Sequence, residues 1–187
     1  MASAVSICSN AYLSLGDKSL SSFEESNDNA ERAANLFPSV RDFILRSHPW
    51  NCAVKRVALS PDETPPAFGY SYQFTLPGDW LRTLSIGEPG DDIDHVTENM
   101  KILANTNVLY LRYIFRNIEV NSWDAMLIHC MEKAMAAALA YPVTQSTSLK
   151  EACVKEVNDA LKTARAVDGI EDPPEDFGDF PLLRSRF

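Results

Sequence analysis

The stretch from Val40 to Arg82, VRDFILRSHPWNCAVKRVALSPDETPPAFGYSYQFTLPGDWLR, changes its period in the middle, and that limits what the whole chain can fold into. It opens with Val40, Phe43 and Ile44 at helical spacing, which lines one face of a helix. His48-Pro49 ends that helix, because a proline biases the residue before it away from the α region. The polar, proline-rich run from Ser60 to Pro66 reads as a loop. From Tyr70 the period becomes two, with Tyr70, Tyr72 and Phe74 alternating with Ser71, Gln73 and Thr75. Pro77-Gly78 closes this strand: proline presets φ at the first inner position of a turn, and glycine accepts a positive φ at the next. Trp50 and Trp80 sit at the breaks. Large aromatic groups at chain breaks lock a helical layer onto a sheet, and the stretch holds no metal-ligand spacing and no phosphate loop.

The flanks are helical. Ser3 can cap a first helix over about 3–15, with Val5, Cys8, Tyr12 and Leu15 on one face and Gly16 as its stop. A serine-rich connector, Asp17 to Asn27, leads to a second helix over 28–47 with Ala30, Ala33, Ala34, Phe37, Val40, Phe43 and Ile44 as its buried stripe. Pro38 falls inside that stripe and predicts a kink or a break. A third helix, 122–141, has Ser122 as N-cap and Pro142 as its end, and its small run Ala134 to Ala140 permits close approach of another helix. The fourth spans 148–166, with Ser148 and Glu151 as a capping box, and stops before Gly169. Between them, 50–118 holds strands at Tyr70–Leu76, Leu81–Ile86, Met100–Leu103 and Val108–Phe115, with Asn105-Thr106-Asn107 turning the last pair. The expected fold is α+β, mainly α: a four-helix bundle with a small antiparallel β-sheet insertion and an extended C-terminal tail.

Composition bounds the function. The 187 residues suit one domain, and an apolar share of 45% is ample for a core. A net charge of −9 opposes a groove that grips nucleic acid, which works through Lys and Arg displacing counterions. It does not oppose a surface that lets DNA pass. Cys8, Cys52, Cys130 and Cys153 lie far apart without a C-x-x-C, so buried free thiols in a reducing compartment are expected. No window carries enough apolar residues to span a bilayer, and no secretory leader is legible.

Catalytic constellations are weak. His129 and Cys130 are helix neighbours whose side chains diverge, so they do not make a pair. His48 stands at a helix end, where a structural bond is expected, and His95 is isolated in an acidic loop. Asp91, Asp92 and Asp94 lack the glycine and glutamate of a calcium loop, and Glu24 and Glu25 are mere sequence neighbours. The chain therefore reads as no enzyme, with no catalytic, cofactor-binding or metal residues.

The end of the chain, DGIEDPPEDFGDFPLLRSRF, differs in kind. Its acids, prolines and glycines cannot pack a core alone, so 168–187 is expected to be extended. Yet Phe177, Phe180, Pro181, Leu182, Leu183 and Phe187 crowd together with Arg184 and Arg186, and solvating tails lack such anchors. These eight residues are the expected partner-binding segment, ordering against another protein; the plainer alternative is a frayed terminus that folds back on its own domain.

The segments R-D-F-I-L-R-S-H-P-W-N-C-A and G-Y-S-Y-Q-F-T-L-P-G-D-W-L-R together resemble the tail tubular protein A family of tailed bacteriophages, the head-to-tail adaptors. I-C-S-N-A-Y-L-S-L-G, S-F-E-E-S-N-D-N-A-E-R-A, A-A-A-L-A-Y-P-V-T-Q and T-A-R-A-V-D fit the same pattern, so the resemblance runs from residue 5 to 168. The chain departs from it at Cys52, where many members carry an aromatic, and at Thr97 to Lys101, where the usual strand pair contains glycine. The resemblance implies a structural virion protein of the neck, assembled as a ring, most often of twelve subunits. That ring would lie between the portal protein and the tail or nozzle protein, with DNA passing through its lumen during packaging and ejection. It implies the host cytoplasm as the site of assembly, with no membrane and no cofactor. The C-terminal anchors would then engage the portal. Two alternatives from other classes are a peptidoglycan hydrolase-type adaptor, which would need a carboxylate of raised pKa in a cleft, and a helical regulator binding a bacterial partner.

Overall fold

The computed structural model describes residues 2–171. Helix α1, Ala4–Ser14, is capped by Ser3, whose hydroxyl accepts from the Ser6 amide at 3.1 Å while the Ser3 amide donates to the Ser6 hydroxyl at 2.8 Å. Gly16, at φ +79, takes the left-handed turn beyond its end. Helix α2, Asp28–Ser47, begins on Asn27, whose side chain accepts from the Ala30 amide at 2.8 Å. The expected break at Pro38 does not occur, and α2 runs through it as one helix. The reason is tertiary: Ala30, Ala33 and Phe37 before the proline and Ile44 and Leu45 after it are buried in the same core. That shared burial outweighs the one lost backbone bond.

Helix α3, Ala125–Thr144, is capped by Asp124, which accepts from the Met126 amide at 2.7 Å, and not by Ser122. Ser122 instead ends a 3-10 turn, Val120–Ser122, and donates its hydroxyl to the Glu119 carbonyl. Pro142 lies within the last turn of α3. Gln145, at φ 54, then reverses the chain, and Ser146 caps helix α4, Thr147–Glu171, through the Leu149 amide at 3.2 Å. Helix α4 passes Gly169, where a stop was expected.

The β portion corrects the expected architecture. The described residues hold six strands: β1 Val54–Leu59, β2 Tyr72–Thr75, β3 Trp80–Ile86, β4 His95–Glu98, β5 Lys101–Ala104 and β6 Leu109–Phe115. They form two three-stranded antiparallel sheets, ordered β1-β6-β3 and β2-β5-β4. The molecule is α+β, but it is not a four-helix bundle with a small sheet inserted. Phe74, Ile102, Leu109, Leu111 and Tyr113 make a core between the sheets, separate from the helical one. The turn at Asn105 to Asn107 joins strands of different sheets. The hairpin is instead β4-β5, turning on Asn99 and Met100 at φ 45 and 60. Two consecutive positive φ values make a twist-matched two-residue hairpin turn, and a methionine in its second position hid the signal. Strands β1 and β4 were not legible: β4 is exposed at every position, and β1 interrupts its alternation with Lys55 and Arg56.

Strand β6 is the spine joining both layers. Leu109, Leu111 and Tyr113 point to the β core, while Ile114, on the other face, is buried in the helical core with Leu81 of β3. The helical core is built from Ile7, Tyr12, Phe37, Ile44, Leu127 and Met131, which bring α1, α2 and α3 together.

Candidate interaction surface

The junction between helices and sheets is polar and closely bonded. Arg46 of α2 donates to the Leu81 carbonyl at the start of β3, at 2.6 Å. Asp42, one turn earlier, accepts from Arg116 Nε at 2.7 Å, and Arg116 also donates to the Gly78 carbonyl and, through its amide, to the Asp79 carbonyl at 2.6 Å. Asp79 accepts from Lys55 Nζ at 2.7 Å and from the Tyr113 hydroxyl at 3.0 Å, so β1, β3 and β6 meet at one carboxylate. Desolvation works against the charge of Asp79, but the bonds from Lys55 and Tyr113 prevail and hold its carboxyl below the ordinary range. Burial, together with Asp79 itself, pushes the Tyr113 hydroxyl up to about 12.

Beyond the junction, Trp50 is buried and donates its indole N–H at 3.0 Å to the Ile44 carbonyl in the last turn of α2, which also accepts from the Ser47 hydroxyl at 2.8 Å. His48 meets the Trp50 ring edge-on at 4.7 Å between centroids and lies 3.0 Å from Asp168 Oδ2 through Nε2. The amide of Asn51 donates to Asp168 Oδ1 and its side chain to the Asp168 carbonyl, each at 3.3 Å. Asp168, expected to open an extended tail, is therefore a buried residue of α4 that clamps the end of that helix to the His48–Asn51 turn. The available signal was the run of polar groups at His48 and Asn51, each in need of a partner; sequence alone does not say that the partner lies 120 residues away.

One turn from this clamp, an apolar groove of about 450 Å³ opens between α2, α3 and α4. Val40, Phe43, Ala137, Val154, Val157 and Leu161 line it, and Arg165 stands at the end nearer the clamp. Phe43, expected in the buried stripe of α2, is 67% exposed here, and Val154 is 43% exposed. Ile44 takes the core position, and its neighbour Phe43 is rotated about 100° away from it. The groove is thus the part of the α2–α4 seam that the helices leave uncovered.

The other singled-out residues are not brought together. Cys130 faces the core, where burial pushes its thiol up to about 11, while His129 points outward with Nδ1 3.9 Å from Glu132. Burial likewise takes the Cys8 thiol to about 12. His95 lies on β4, bonded to the Ile93 carbonyl at 2.8 Å. Asp91 accepts from the Glu88 amide and closes the loop beside Gly87, where φ is +87 and an added Cβ would meet Asp91 Cβ at 2.7 Å. Glu25 is a local cap, accepting from the amides of Ser21 and Ser22. Among the described residues, Asp17, Glu25, Asp62 and Asp79 have carboxyl pKa values displaced from the ordinary range, and all four are displaced downward. Also among these residues, no group of three His, Cys, Asp or Glu could hold a metal ion, and no helix is long and apolar enough to cross a membrane. The expected partner-binding segment, Phe177 to Phe187, lies outside the described residues.

No protein-family model matches the chain, and no curated protein gives a significant match.

Proposed function

We propose that this protein is a structural head-to-tail adaptor of a tailed bacteriophage, forming an oligomeric ring between portal and tail through which DNA passes. The observation that carries the reading is the meeting of the two segments on which the resemblance rests. Asp42 and Arg46 of R-D-F-I-L-R meet Gly78, Asp79 and Leu81 of L-P-G-D-W-L-R, Arg46 directly and Asp42 through Arg116, while Arg41 braces Asp42. His48, Trp50 and Asn51 of H-P-W-N hold Asp168 of T-A-R-A-V-D. The motif residues are thus one another's packing partners, as residues that specify a common architecture should be.

Surface charge is consistent with a lumen that does not grip DNA. Glu88, Asp91, Asp92, Asp94 and Glu98 are all exposed along the β3–β4 loop and β4, and none is ion-paired among the described residues. An acidic surface repels phosphates and lets a duplex slide past. A ring requires heterologous contacts, one face meeting a different face of the neighbour, and the two-layer subunit supplies unlike helical and β surfaces.

The test is electron microscopy of the protein mixed with its cognate portal protein. A ring of density beneath the portal is expected. Deletion of Phe177 to Phe187 should abolish attachment while leaving the fold intact by circular dichroism. No ring with the full chain, or normal attachment of the shortened one, would overturn the reading.

A further inference from the structure

We infer that, before assembly, the segment Phe177–Phe187 of the same chain occupies the apolar groove between α2 and α4. The groove is lined by Val40, Phe43, Val154, Val157 and Leu161, and a two-thirds exposed phenylalanine in it has no described side chain to cover it. Five large apolar residues, Phe177, Phe180, Leu182, Leu183 and Phe187, follow within the next turns of sequence, and such a set left in water invites association.

The chain leaves the described structure close to the groove. The clamp of Asp168 by His48 and Asn51 fixes the last turn of α4 beside the end of α2, and Arg165 at the near end of the groove is one turn earlier. From Glu171 back to Leu161 is about 15 Å along the helix axis at 1.5 Å per residue. The six residues from Glu171 to Phe177 reach about 20 Å when extended, so Phe177 can arrive at the level of Leu161.

Charge favours the same arrangement. Arg165, exposed and without an ion pair among the described residues, would meet the acids Glu175 and Asp176 as the segment enters. On α4 the groove stripe continues through Leu161, Asn158 and Val154 to Glu151, which would meet Arg184 or Arg186 at the far end. The groove then stores the anchors of the free subunit and releases them when another protein competes for them. This inference shares with the proposed function the reading of Phe177–Phe187 as anchors. It does not require the portal, and its test uses the isolated chain.

Hydrogen exchange by mass spectrometry on the full chain, at several concentrations, is the experiment. Peptides covering 177–187 should exchange about tenfold or more slowly than an unstructured chain, in a species that sediments as a monomer. Phe43→Glu or Arg165→Glu should abolish that protection while leaving the circular dichroism of the folded chain unchanged. A second full-length variant, with Phe177, Phe180, Leu183 and Phe187 all replaced by Ser, alters no residue of either core and should raise the fluorescence of a bound apolar dye by uncovering the groove. Exchange at the unstructured rate in the wild-type chain, or dye fluorescence unchanged in the serine variant, overturns the inference. So does protection that appears only with concentration and a dimeric mass, because the groove would then hold a neighbour's segment.

Discussion

Trp50 shows how one residue closes several accounts at once. It fills the helical core, it satisfies a carbonyl at the end of α2, and it backs the His48 ring that holds Asp168. Trp50→Ala should lower stability by about 3–5 kcal/mol, the cost of emptying a large buried site that cannot collapse fully. Trp50→Phe keeps most of the volume and leaves the Ile44 carbonyl with the Ser47 hydroxyl as donor, so it should cost only the net value of one hydrogen bond, about 0.5–1.5 kcal/mol. Urea midpoints of the two variants check both the size and the order of the effects; a Trp50→Phe midpoint equal to that of the wild type would mean that the hydrogen bond contributes nothing. Composition and flanking prolines marked this tryptophan as an anchor, because a large aromatic at a chain break has few other uses. The side chain that His48 meets was not legible, since contact over 120 positions leaves no local trace.

At the scale of elements, the sheets are tied together by carboxylates. Asp62, on the loop between β1 and β2, accepts from Lys101 of β5 at 2.7 Å and from the amide and hydroxyl of Thr75 of β2 at 3.2 and 3.0 Å. The bond from Lys101, helped by those from Thr75, outweighs desolvation and holds the Asp62 carboxyl below its ordinary 3.8, as Lys55 and Tyr113 do for Asp79. A carboxyl whose folded pKa is depressed contributes stability that is complete above the unfolded value and is lost as pH falls through the folded one. The urea midpoint should therefore hold down to about pH 5 and fall once pH drops below the ordinary aspartate value. In the double variant Asp62→Asn, Asp79→Asn that acid-side fall should be smaller, and an undiminished fall would assign the loss to other groups. Strands β3 and β6 were visible from their apolar and aromatic runs. Strands β1 and β4 were not, because an edge strand draws its order from a partner's backbone and needs little of its own side chains.

Among the described residues, the two larger cores of the molecule share one sheet. Because β6 sends Leu111 and Tyr113 to one and Ile114 to the other, neither core can come apart without exposing part of its neighbour's support. Leu127→Ala in the helical core and Ile102→Ala in the β core should each cost about 2–5 kcal/mol. Both losses should appear in a single transition monitored by tryptophan fluorescence and by circular dichroism. Separate transitions for the two probes would show that the layers unfold independently.

What the sequence determined by itself is local. Helical stripes place the four helices, and the Ser3 cap and the His48-Pro49 break fix two of their ends, since period and backbone chemistry act over a few residues. The free thiols and the acidic balance are set in the same way. Tertiary structure alone decided that the strands form two sheets, that α2 continues through Pro38, that Phe43 faces outward over a groove, and that Asp168 is buried under His48 and Asn51. Each of these depends on a partner far along the chain, and burial against such a partner outweighs the local preference of any single residue.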